Sequence, residues 1–88
     1  QGNKYFVVMD GIEGKQYDGI GSPTFSADSK HLAYAAQAGD KYFVVVDGIE
    51  GNQYDGLVDT RIIFDSTNTL HYLAIDGNKV YLVEEKIE

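Results

Sequence analysis

The chain contains no cysteine, no tryptophan, a single proline and a single methionine among its 88 residues. Without cysteine there is no disulfide framework and no zinc site built on thiolates. The redox compartment is left undefined by that absence, and no localisation follows from the sequence. Cations are also scarce. Seven Lys and Arg stand against fourteen Asp and Glu, a formal net charge of −7. With no basic stripe to displace counterions, the composition argues against nucleic acid as a partner. No apolar run approaches the roughly 20 residues that cross a bilayer as a helix, so no membrane partner is expected. No signal-peptide pattern is visible, and Gln1 in place of an initiator Met leaves processing or trimming open.

What the chain does have is one stretch written twice. Residues 2–19 read GNKYFVVMDGIEGKQYDG and residues 39–56 read GDKYFVVVDGIEGNQYDG, differing only at Asn3/Asp40, Met9/Val46 and Lys15/Asn52. A third, diverged copy, GNKVYLVEE, begins at Gly77. A period of 37 to 38 residues is that of a structural repeat. The length suits one small domain spanning residues 1–88.

The segments between turns are short, β-branched and aromatic, and they alternate. Lys4 to Asp10 is apolar on both alternating faces and predicts a strand covered on both sides. GIEGKQ reads as a turn, and Gln16 to Ile20 as the next strand. Pro23 suits a strand start, where its missing N–H costs least. Thr24 to Ser26 then predicts a brief strand, Ala27 to Lys30 a polar hairpin loop, and His31 to Gln37 a further strand, for which a helix is the alternative. The second half repeats this order: Lys41 to Gly56, Arg61 to Asp65, Leu70 to Ile75 and Lys79 to Glu85. Phe64 takes the place of Phe25, and Leu70, Tyr72 and Ala74 take those of Leu32, Tyr34 and Ala36. With four strand types A to D, the nine strands run C-D, A-B-C-D, A-B-C. The fold class expected is all-β and antiparallel, in four-stranded units, about two per chain.

Phe25-Ser26-Ala27-Asp28-Ser29-Lys30-His31-Leu32-Ala33-Tyr34 resembles the FSPDGKxLAY signature of bacterial WD-like, TolB-type β-propeller repeats. Similar repeats form the N-terminal propellers of dipeptidyl-peptidase-like proteins. Ala27 stands in place of the usual proline and Ser29 in place of the usual glycine, and the second copy keeps Phe64, Leu70 and Tyr72. The KYFVVVDGIEGNQYDG stretch is similar to the third and fourth strands of such blades. The resemblance implies blades packed face to face and carries over no catalytic residue, because the hydrolase serine of the dipeptidyl-peptidase-like enzymes lies in a separate domain.

No catalytic, cofactor-binding or metal-ligating residue is assigned. His31 and His71 are the only histidines, and they are not repeat-equivalent. The acidic turn residues Asp10, Glu13, Asp18, Asp47, Glu50, Asp55, Asp59, Asp65 and Asp76 fit Asp-Gly turns, in which Asp serves the backbone. No spacing matches an EF-hand loop, a phosphate-cradling loop or a nucleophile elbow. The seven tyrosines recur in repeat-equivalent pairs and are expected to pack between units. The function expected is a non-enzymatic propeller-like module for protein interaction or self-assembly. The alternative is a ligand- or metal-binding, or glycan-hydrolysing, domain using the acidic turns. Each terminal unit lacks strands, and roughly four to eight four-stranded blades close a propeller. A homo-oligomer that completes the units is therefore expected.

Overall fold

The computed structural model describes residues 4–9, 11–21, 23–58 and 61–87. Asp10 and Asp59, two of the acidic turn positions, lie outside them. Eleven strand segments form three antiparallel sheets. In chain order they are β1 (Val8–Met9), β2 (Ile12–Glu13), β3 (Gly19–Ile20), β4 (Thr24–Phe25), β5 (Leu32–Ala38), β6 (Lys41–Val46), β7 (Ile49–Glu50), β8 (Gly56–Leu57), β9 (Ile63–Phe64), β10 (Thr69–Asp76) and β11 (Lys79–Lys86).

The first sheet pairs β1 with β2 and is extended by a bridge between Tyr5 and Tyr17. The middle sheet is a meander of four rows. β3 and β4 both pair with β5, β5 with β6, and β6 with β7, with a further bridge between Tyr42 and Tyr54. The third sheet has three rows: β8 and β9 on β10, and β10 on β11. The expected all-β, antiparallel class is the class found, and LAYAAQA is a strand.

The segments number eleven where nine strands are expected, Lys4 to Asp10 narrows to Val8–Met9 and Arg61 to Asp65 to Ile63–Phe64, and two further boundaries differ. GIEGKQ is not a turn. The reversal is confined to the two residues after the C-type strand, and Asp47 and Gly48 both take positive φ, 52° and 84°. Two central residues with positive φ match the twist of the flanking strands, so Ile49 and Glu50 already pair with Val46 and Val45. Nor is Gln16 to Ile20 one strand. Tyr17 ends the first sheet, whereas Gly19 and Ile20 pair with Gln37 and Ala36 of the middle sheet. The chain changes sheet at Asp18, and at Asp55 in the second copy.

The alternation of each strand divides its side chains between two cores. Tyr17, Leu32, Tyr34, Ala36, Phe43 and Val45 fill the space between the first and middle sheets. Ala33, Val44, Ile62, Leu70, Tyr72 and Ala74 fill that between the middle and third. Phe43, Val44 and Val45, consecutive in β6, therefore serve opposite cores. Tyr17 stands edge-on to Phe43, with ring centres 5.5 Å apart, a favoured aromatic geometry. The expectation of two-sided cover holds for β6 and fails for its repeat partner. Phe6 and Val8 are exposed, because nothing among the described residues lies beyond the first sheet.

Candidate functional site

The repeat signature builds a corner that ties each sheet to the next. Asp18 donates its own N–H to the carbonyl of Gln37. Its carboxylate accepts the amide of Gly39 at 2.7 Å in the β5–β6 turn, and pairs with Lys4 of the first sheet. Asp55 repeats this arrangement. Its N–H donates to Ile75 O, its carboxylate accepts the amide of Gly77 at 2.7 Å, and Lys41 Nζ lies 3.0 Å away. The turn amide, followed by the lysine, lowers the pKa of each carboxyl below the usual range. Gly39 and Gly77 take positive φ, 63° and 64°, which glycine adopts without strain.

A tyrosine–glutamate hydrogen bond lies at the rim of each core, made by residues that are not repeat-equivalent. The Tyr17 hydroxyl donates to Glu50 Oε2 at 2.8 Å, and the Tyr72 hydroxyl to Glu85 Oε2 at 3.0 Å. Burial, reinforced by the adjacent carboxylate, raises both phenols above their ordinary range. Glu50 is lowered by the Tyr17 hydroxyl and then by Lys15, which lies 3.1 Å away. Asp28 is lowered by the Ser26 hydroxyl and the Lys30 amide, which close the β4–β5 loop.

These depressed carboxyls fix the sign of a pH effect. Each folded pKa lies below its unfolded value, so the stabilisation is present above the unfolded pKa and lost as pH falls through the folded one. The loss of thermal stability from these carboxyls is expected to set in from about pH 4 downwards. Asp18→Asn with Asp55→Asn should flatten that acid limb in melts followed by circular dichroism. A limb unchanged in the double variant would show that the corners do not contribute to it.

The histidines pair with separate carboxylates: His31 Nδ1 lies 2.7 Å from Asp47 Oδ2, and His71 Nδ1 lies 2.8 Å from Asp65 Oδ1. Asp47 also accepts the Leu32 amide and so braces the β6–β7 turn. No group of three or more His, Cys, Asp or Glu side chains among the described residues could hold a metal ion. A cleft of about 460 Å³ opens between the first and middle sheets, lined by Val7, Met9, Ile12, Leu32 and Tyr34, with Asp47 at its rim. Of the tyrosines, Tyr17, Tyr34 and Tyr72 are core, whereas Tyr5 and Tyr81 are exposed.

The largest uncommitted features are two apolar faces. On the third sheet, Leu73 pairs across strands with Leu82 and Ile75 with Val80, while Ile63 flanks them beside His71. Val80 and Leu82 are 61% and 60% exposed. In the middle sheet the repeat equivalents of Leu73 and Leu82 are Ala35 and Val44, at 2% and 0%, covered by the third sheet. At the other end, Phe6 and Val8 are the equivalents of Phe43 and Val45, which are buried. The alternation of Leu73 with Ala74 and of Leu82 with Val83 carried this signal in the sequence. It becomes specific to a surface only once the sheets are placed.

Fold and surfaces together define an all-β repeat protein whose middle sheet is covered on both faces and whose two outer sheets, among the described residues, are covered on one. Comparison with protein-family models, with curated proteins and with solved structures gave no match.

Proposed function

We propose that the protein is a non-enzymatic, propeller-type repeat module whose role is protein association, including self-assembly. The observation that carries this reading is the apolar outer face of the third sheet. Its repeat equivalent in the middle sheet is the floor of a core. Contiguous exposed apolar surface of this kind marks association sites in soluble proteins. The four-row meander of the middle sheet, and the step to a new sheet at Asp18 and Asp55, support the blade reading. One full and two partial units fall short of the roughly four blades of a ring, so a ring would take further blades, and we assign them to other copies of the chain. The charged side chains support a structural role in the same direction. Asp18, Asp55, Asp47 and Asp65 each hold a lysine, a backbone amide or a histidine that fixes a turn or corner.

Light scattering on the 88-residue chain at tens of micromolar should give a mass at least twice the 9.7 kDa of the monomer. The double variant Ile63→Lys, Leu73→Lys should shift that mass towards the monomer with its far-ultraviolet spectrum unchanged. A folded wild-type monomer at 100 µM, in about the concentration range at which weak specific contacts form, would overturn self-assembly.

A further inference from the structure

The two uncovered faces are not alike, and the difference has a direction. Each internal contact joins a right-hand face of one sheet to a left-hand face of the next. In the middle sheet the left-hand face carries Phe43 and Val45 and receives Val7 and Tyr17 of the first sheet. Its right-hand face carries Ala33 and Val44 and receives Leu70, Tyr72 and Ala74 of the third. Among the described residues, Phe6 and Val8 thus form a left-hand face with no sheet on it, and Leu73, Val80 and Leu82 a right-hand face with no sheet on it. The chain already makes this type of contact twice internally. Its two open faces are the opposite halves of a third such contact.

We propose that chains associate head to tail, the Phe6–Val8 face of a second copy seating on the Leu73–Leu82 face of the first, so that stacking of sheets continues from chain to chain. This rests on the association reading above and adds to it the partner, the surfaces and their polarity. A contact between two different patches is heterologous: repeated, it closes into a ring or runs on as a filament, whereas a two-fold dimer would join like to like. The second copy is the occupant indicated, because the sequence that covers each right-hand face inside the chain is itself a copy of this repeat. The edge of β11 away from β10 is a separate open element beside that face. In the middle sheet the corresponding edge is paired: Gly51 N–H donates to Val44 O at 2.9 Å, and Tyr42 and Tyr54 exchange bonds at 2.9 and 2.7 Å. The eight-residue β11 has no such partner strand among the described residues, and an open edge of that length invites pairing.

The polarity is tested by two variants that each block one half. Val8→Lys removes the head and Leu82→Lys the tail. Both positions are more than half exposed, so each variant should fold with the wild-type spectrum. Wild type should grow in mass with concentration in sedimentation velocity runs. Each variant alone should remain monomeric. An equimolar mixture should give a heterodimer of twice the monomer mass and nothing larger, because only one productive contact remains. Leu73→Lys serves as a second tail variant should Leu82→Lys lose its fold. If each variant still dimerises alone, the contact joins like faces and the head-to-tail proposal is overturned while association stands. If wild type associates but the mixture stays monomeric, the proposal is overturned in the same way. A folded wild type that stays monomeric overturns the association reading as well.

Discussion

Val45→Asp is expected to abolish folding. Val45 is 0% exposed in the core between the first and middle sheets, among Tyr17, Tyr34 and Phe43. A carboxyl there must either stay protonated without adequate hydrogen bonds or carry an uncompensated charge. Burial of an unsatisfied polar group costs roughly 2–7 kcal/mol, with lost packing added to it. The whole margin of a small domain is of order 5–15 kcal/mol. The variant should therefore show no cooperative melt and should be recovered in the insoluble fraction. Val8→Asp places the same substitution in the same local sequence, KYFVV, at a residue 56% exposed. It should cost no more than about 1 kcal/mol. Equal behaviour of the two variants would contradict the stacking order, since Val45 is flanked by Tyr34 of β5 and covered by the first sheet, and Val8 has neither among the described residues.

Tyr72→Ala addresses the other core. Tyr72 is buried, stands edge-on to Tyr54 with ring centres 6.5 Å apart, and donates its hydroxyl to Glu85. Truncation of a buried aromatic side chain costs about 3–5 kcal/mol. For a domain of this size that lowers the melting temperature by roughly 12 °C or more. Tyr81→Ala, on the neighbouring strand but exposed, should change it by a few degrees at most. Tyr72→Phe should fall between them, because the ring is kept and only the bond to the carboxylate is lost. A drop for Tyr72→Ala no larger than that for Tyr81→Ala would show that the second core is not closed.

The order of strands could be read from the repeat, because Asp-Gly steps and β-branched runs punctuate it regularly. The point at which the chain leaves one sheet for the next could not. QYDGI is short and flanked by other turn signals, so it reads as one strand with an Asp-Gly step inside it, yet the ladder partners change between Tyr5 and Gln37. The cause is a side chain, Asp18, which bonds to both sheets, and periodicity does not register that. Ile12 and Ile49 were misleading in another way. They sit in a turn-like context, but they extend a hairpin and point outward, Ile49 at 74% exposure. Identical residues also meet different fates. Val8 is exposed where Val45 is buried, and Phe6 is open where Phe43 is sealed, because place in the stack decides burial and a single repeat does not encode its own place.

The corner at Tyr-Asp-Gly makes the unit of sequence and the unit of structure fall out of step. One 37-residue period begins in one sheet and finishes in the next, carrying the lysine for one side of a junction and the aspartate that crosses it. Tandem duplication of such a segment therefore inserts a complete joint together with the sheet it holds. A series of this kind is able to lengthen by copying alone, without prior change at either neighbour, and the near-identity of residues 2–19 and 39–56 is the pattern that such growth leaves.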